Sequence, residues 1–201
     1  MVDRSLLYQI VEACNRYNKI PMDEWERIIP LISFRELKKG DYFVRVGDLP
    51  REVAFILNGG VRHYYIDSNG AERTTDFCVP GEFTGPVDIF EGKRRPAEQW
   101  IQAFADTGLA VFDNSELEEF VSVRPAFQNL FRAVVLEYFS VKSRRETELL
   151  SSDIARRYEN FLRHYPDLSR QLPQYQIASF LGITAETLSR IRSRRKKTVA
   201  S

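Results

Sequence analysis

Gln174–Arg194 reads QYQIASFLGITAETLSRIRSR, and its spacing is that of a helix-turn-helix. Counting Gln174 as the first position, a small residue stands at the fifth (Ala178), glycine at the ninth (Gly182), and aliphatic residues at the tenth, fifteenth and eighteenth (Ile183, Leu188, Ile191). Two helices that cross steeply through a short turn need a small side chain where their backbones approach, and a glycine where the turn takes positive φ. Ile177, Leu181, Ile183, Leu188 and Ile191 supply an apolar seam, and the Thr184 hydroxyl is placed to cap the second helix. Ala185, Glu186, Ser189 and Arg190 are left on the outer face. An arginine there can contact guanine O6 and N7 together, a glutamate can accept from cytosine N4, and a serine can meet a base edge or thymine methyl. Arg190 and Glu186 are therefore the candidate base readers. Gln174 and Tyr175 open the first helix of the motif with an amide and a phenol, groups that hold phosphates without reading sequence. An ordinary helical hairpin with an amphipathic second helix is the plainer alternative.

The net charge of +1 conceals an asymmetry that favours DNA. Residues 1–141 carry 16 Lys and Arg against 22 Asp and Glu, whereas residues 142–201 carry 13 against 6. One module suits phosphates and the other does not. Arg190, Arg192, Arg194, Arg195, Lys196 and Lys197 continue along the second helix, and Arg192 and Arg194 join Thr184 in the expected DNA-binding set. The last four of the run read equally as a solvated tail or as phosphate contacts.

With 201 residues, 43% hydrophobic and 12% aromatic, the chain can bury two modest cores. The N-terminal MVDRSLLYQIVEACNRYNK has no apolar run fit for a signal peptide, and no segment approaches the ~20 apolar residues of a membrane span, so a cytoplasmic location and no membrane partner are expected. Cys14 and Cys78 make no disulfide framework, and with only His63 and His164 no metal site is expected. No cofactor is called for. The absence of clustered histidines or a nucleophile–base pair argues against an enzyme.

Leu6, Leu7, Ile10, Val11, Cys14 and Tyr17 recur at helical spacing, and Asp23–Leu31 reads as a second short helix. From Phe34 to about Phe112 the pattern changes to short β-type runs, VAFIL, VRHYYI, TTDFCV and LAVF, separated by glycine turns, with Asn69-Gly70 a strong hairpin signal. That rhythm indicates a β-sandwich or β-roll. A helical segment follows from about Glu116 to Leu150, with a stripe of Phe127, Leu130, Val134, Tyr138 and Val141 and further apolar residues, Val135, Leu136 and Phe139, at its sides. A helix apolar on more than one side buries against its own domain and something else, so this stripe is the expected homodimer interface.

A β-roll, a long helix and a C-terminal helix-turn-helix in that order resemble the Crp/Fnr family of bacterial regulators over nearly the whole chain. The run from Gly40-Asp41 to Asn58-Gly59-Gly60-Val61 is similar to the family's early strands, and Glu186-Thr187-Leu188-Ser189-Arg190 is similar to the Glu-x-x-Ser-Arg pattern of the Fnr branch. The resemblance implies an α+β fold: N-terminal helices and an antiparallel, cyclic-nucleotide-binding-like β-roll (a double-stranded β-helix), a long dimerisation helix, and an all-α helix-turn-helix. Residues 1–123, 124–150 and 151–201 would be the three parts, the roll proper spanning 33–113. Because only ten residues follow Ile191, the family's β-wing is expected to be reduced or absent. As partners the resemblance implies a second copy of the chain, a palindromic double-stranded DNA operator, RNA polymerase and a small effector of unknown identity. An iron–sulfur oxygen sensor is excluded, since it would need about four cysteine ligands.

The effector region departs from that pattern. In the family's cyclic-nucleotide binders the loop after Gly-Glu/Asp-Phe offers a glutamate to the ribose, and an Arg-Ser/Thr-Ala run holds the cyclic phosphate. Here the matching stretch is Gly81 to Trp100, beginning with Gly81, Glu82 and Phe83, and Pro86 falls where the ribose glutamate is expected. Aligning from Trp100 places Ala97-Glu98 at the phosphate position, whereas aligning on arginine places Arg95-Pro96-Ala97 there. The first register sets a carboxylate against phosphate. The second loses both a hydroxyl and a backbone N–H. Arg94 or Arg95 alone would make a weak anion site, so the pocket is expected to be altered.

Overall fold

The computed structural model describes residues 4–86, 95–151 and 153–199, with the backbone alone at Arg4 and at 196–199. The chain divides into two compact units, Met1–His63 with Phe77–Tyr138, and Tyr64–Asp76 with Phe139–Ser201. In the first, helices α1 (Arg4–Cys14) and α2 (Met22–Glu26) and a 3-10 turn (Ile29–Leu31) precede the strands. These are β1 (Ser33–Leu37), β2 (Tyr42–Val44), β3 (Glu52–Asn58), β4 (Val61–Ile66), β5 (Glu72–Cys78), β6 (Phe83–Thr84), β7 (Trp100–Ala103) and β8 (Thr107–Asp113). They form two four-stranded sheets, ordered β1-β8-β3-β6 and β2-β7-β4-β5. β8 runs antiparallel to β1 and β3, β6 to β3, and β2 to β7. The expected β-roll is present.

The run VAFIL shows why the roll has two cores. Successive side chains of a strand point to opposite faces. Ala54 and Ile56 join Val44, Val61, Cys78, Ile101, Leu109 and Val111 in one cluster, drawn from both sheets. Val53 and Phe55 join Leu7, Ile10, Cys14, Trp25, Phe112 and Phe120 in the other, where the helices cover the sheet. Both faces of β3 are therefore apolar, and the sequence reads as a continuous run rather than an alternation. Gly59, with φ +73°, closes the turn into β4 where a Cβ would lie 2.2 Å from the Asp106 carbonyl oxygen.

The helical stretch after the roll is broken once. Helix α3 (Asn114–Ser122) is capped by the Asp113 carboxylate, which accepts from the amides of Ser115 and Glu116. Helix α4 (Pro125–Ser151) starts with proline at its first position, where the missing N–H is harmless. The stripe expected to form the dimer seam points inward at its start. Phe127 and Leu130 are buried in the helix–sheet core, with Val134 packed against it, and Phe127 meets Trp25 and Phe120 edge-on at ring distances of 5.0 Å. Phe131, Val135 and Phe139 lie on a neighbouring face of α4 and are exposed, as are Leu136, the stripe's own later members Tyr138 and Val141, and Leu149 and Leu150 at the helix end.

The second unit comprises the outer part of the β4–β5 hairpin, the end of α4, and helices α5 (Ile154–His164), α6 (Leu168–Gln171), α7 (Gln174–Leu181) and α8 (Ala185–Val199). Tyr158, Phe161, Leu168, Leu172, Ile177, Phe180, Leu181 and Leu188 are buried. Asp153 caps α5 by accepting from the Arg156 amide at 2.8 Å. No strand follows β8 among the described residues.

Candidate nucleic-acid interface

Gly182 ends α7 in the left-handed conformation, φ 69° and ψ 33°. Its amide donates to the Ser179 carbonyl at 3.1 Å, and the Ile183 amide reaches back to the Ala178 carbonyl at 3.0 Å. These are the paired bonds of a Schellman ending, which satisfies the last carbonyls of the helix and turns the chain sharply. Thr184 then opens α8, its Oγ1 accepting from the Thr187 amide at 3.2 Å. Ile177 and Leu188 are fully buried, Ala178 and Leu181 nearly so, and Ile183 and Ile191 half-buried. The seam read from the sequence is the seam in the structure.

Ala185, Glu186, Ser189 and Arg190 are all exposed on the opposite face of α8. Arg190 donates to Glu186 Oε1 at 2.5 Å, with both side chains at least 70% exposed. The two base-reading candidates are therefore adjacent and oppositely charged. Tyr175 is exposed and Gln174 half-buried at the start of α7. Arg194 is exposed, while Lys196 and Lys197 continue the helix with side chains outside the description. Arg192 is placed differently: its Nε donates to the Tyr158 hydroxyl at 3.0 Å, and Nη2 reaches the Ser169 carbonyl at 3.4 Å. It ties α8 to α5 and α6. Gln176, not singled out in the sequence, is buried and donates from Nε2 to the Tyr175 hydroxyl at 3.2 Å. Its one signal is that it directly follows Gln174 and Tyr175 in the polar helix start.

The described flanks of the effector region are tied to the roll by backbone hydrogen bonds. The Gly81 amide donates to the Ile56 carbonyl, the Glu82 carbonyl accepts from the Ile56 amide, and Glu82 Oε2 accepts from the Val79 amide at 3.0 Å. Phe83 packs edge-on against Phe55 at 5.1 Å. Ala97 is buried, its amide donating to the Asp48 carbonyl at 2.8 Å and its carbonyl accepting from Gly47 at 2.9 Å. Arg95 and Glu98 are exposed and Pro86 half-buried, and Arg94 lies outside the described residues. A buried polar cluster was not legible in the sequence: His63 Nε2 stands 2.8 Å from Thr84 Oγ1 and 3.6 Å from Cys78 Sγ. Its one sequence clue is that His63 lies two residues from Val61, hence on the same face of β4. Among the described residues no group of three His, Cys, Asp or Glu could hold a metal ion, and no helix is long and apolar enough to cross a membrane.

Residues 34–124 match the family model of the cyclic nucleotide-binding domain. The transcriptional regulatory protein Btr of Bordetella pertussis is 23% identical over 87% of this chain and 76% of its own length. The fumarate and nitrate reduction regulatory protein of Vibrio cholerae is 25% identical over 90% of this chain and 74% of its own. Among solved structures, FixK2 of Bradyrhizobium japonicum superposes with a TM-score of 0.73 at 19% identity, covering 83% of this chain and 85% of that one. The regulator Clp of Xanthomonas campestris gives 0.68 at 17% identity over 89% and 93%. Residues 34–124 are thus a cyclic nucleotide-binding domain, in a chain whose relatives along nearly its whole length are regulators of the Crp/Fnr type and whose order of roll, long helix and helical C-terminal part is similar to theirs.

Proposed function

We propose that the chain is a homodimeric, sequence-specific DNA-binding transcription regulator, acting in the cytoplasm and not controlled by cyclic AMP. One observation carries this reading: a Schellman turn at Gly182 and a Thr184 cap hold α8 so that Glu186, Ser189 and Arg190 are exposed on one face. Those are the groups that can distinguish base edges in a major groove. The regulator names of its relatives support the same reading. Gln174 and Tyr175 at the start of α7, with Arg194, take phosphate contacts. Arg192 is assigned to the fold, since its guanidinium already holds Tyr158 and Ser169.

Residues 124–150 pair two copies through the exposed face bearing Phe131, Val135, Tyr138 and Phe139, residues 151–201 bind DNA, and residues 1–123 form the sensory part. RNA polymerase is the downstream partner, and any effector of the roll is a compound other than a cyclic nucleotide. Pro86 offers no carboxylate to a ribose, and the Ala97 amide is engaged with Asp48, so a cyclic phosphate has neither of the partners that would offset its desolvation. The test is affinity for a selected and a random duplex as salt is varied. Phosphate neutralisation predicts affinity falling steeply with salt for both, with the selected duplex tighter at every salt. Salt-insensitive or undetectable binding would instead make the helix-turn-helix a docking face for a protein.

A further inference from the structure

The outer part of the β4–β5 hairpin belongs with the helix-turn-helix unit, and the contacts are specific. Among the described residues strand β5 is the edge of its sheet, with β4 on one side and no strand on the other. Ser179, on α7, bonds two backbone groups of β5 with one hydroxyl. It accepts from the Thr74 amide at 2.8 Å and donates to the Glu72 carbonyl at 2.7 Å. A hydroxyl can do both at once, and here it stands in for a residue of a further strand. The next residue is also held: Arg145 of α4 donates to the Phe180 carbonyl at 2.5 Å and lies 3.5 Å from the Phe180 ring centroid. Its Nη2 also lies 3.5 Å from the Thr74 carbonyl. Two residues along the strand, Asp76 pairs with Lys142 at 2.7 Å. Burial pulls the Arg145 guanidinium below its ordinary value, against the opposing pull of Asp76. These bonds are part-buried, and Thr74 itself is buried.

We propose that Ser179 is a positioning residue for DNA recognition: its hydroxyl latches α7, and through the Gly182 turn α8, onto the edge of β5, so that the hairpin fixes the direction in which the recognition helix is presented. The inference rests on the reading of the chain as a dimeric DNA-binding regulator. Ser179 touches no base. Its loss leaves the reading face of α8 intact and frees its orientation, and in a two-fold dimer that orientation sets the separation of the two half-sites.

The test compares wild type with Ser179→Ala and Ser179→Thr in the full-length protein, with two readouts. Amide hydrogen exchange at Thr74 is expected to speed up about tenfold in Ser179→Ala, the loss of one modest net hydrogen bond, and to remain slow in Ser179→Thr, which keeps the hydroxyl. Duplexes with fixed half-sites and a variable spacer are expected to be bound by Ser179→Ala over a broader range of spacer lengths, with the same preferred half-site sequence. Ser179→Thr is expected to keep the narrow wild-type range. Unchanged Thr74 exchange in Ser179→Ala would show that there is no latch. Faster exchange with an unchanged spacer range would show a latch that positions nothing. Failure of wild type to bind any duplex would sink the regulator reading itself, while the exchange at Thr74 still decides whether the latch exists.

Discussion

Arg190 and Glu186 stand one turn apart on α8 with their charges in contact, so each occupies the other until a base edge replaces it. An exposed pair of this kind contributes little to stability, which leaves both side chains available for recognition. Arg190→Ala is expected to cost about 1–3 kcal/mol at the selected site and to relax preference at one guanine, with a much smaller change on random DNA. Equal losses on both duplexes in an anisotropy titration would show that the helix does not read bases. Cys14 presents the opposite situation. It is packed in the helix–sheet core, and burial pushes its thiol up to about 12, the nearby Arg16 charge opposing. A protonated, buried thiol predicts no alkylation of Cys14 in the folded protein at pH 8. Because the folded value lies above the unfolded one of about 8.5, the stabilisation is complete below pH 8.5 and is lost as pH rises toward 12. Denaturant titrations at pH 7 and pH 10 check this, with lower stability expected at pH 10 and a smaller difference in Cys14→Ala. At this scale the sequence was most informative where a residue type has one role: Gly182 for the left-handed turn, Thr184 for the cap. It was least informative for His63, Thr84 and Ser179, whose partners are far along the chain or in backbone groups that carry no side-chain signal.

Helix α4 shows how element boundaries and faces separate in legibility. The apolar content of Phe127–Val141 marked a helix buried on two sides, within a helical segment read as beginning near Glu116, whereas α4 itself begins at Pro125. Which residues faced which side did not follow, because the inner face is decided by where Trp25 and Phe120 meet the helix, and these arrive from distant segments. The two faces make different predictions. Phe127→Ala opens a cavity in the chain's own core and is expected to cost about 3–5 kcal/mol of stability without favouring monomers at low denaturant. Phe139→Asp is expected to leave the fold intact and give monomers, since an unpaired charge in an apolar seam is costly. Sedimentation equilibrium distinguishes them, and a dimeric Phe139→Asp would place the interface elsewhere. Among the strands, VAFIL, VRHYYI, TTDFCV and LAVF announced themselves by composition. β2 and β7, three and four residues long, did not, since so short a strand leaves almost no periodic pattern.

At the scale of the whole molecule, the order of helices, roll, long helix and helix-turn-helix was legible because each part carries its own periodicity and the charge changes sign between them. The unit that joins the outer hairpin to the C-terminal helices was not, since it depends on the Ser179 and Arg145 contacts. Sensing is the part of the account that the chain constrains by what it lacks in sequence. Cyclic AMP and cyclic GMP are expected to give no one-to-one isotherm in the micromolar range by titration calorimetry, and DNA binding is expected to proceed without them. Glu98→Ser and Pro96→Ser then separate the two alignments: recovery in the first identifies the carboxylate as the obstacle, and recovery in the second the missing N–H. The central claim, that this is a dimeric reader of DNA sequence, is tested most directly by selecting bound sequences from a random duplex pool with the purified protein. The account predicts a two-fold symmetric motif with half-sites about one helical turn, roughly 34 Å, apart, and an Arg190-dependent guanine in each. Enrichment of single unpaired half-sites, or of no sequence at all, would contradict it.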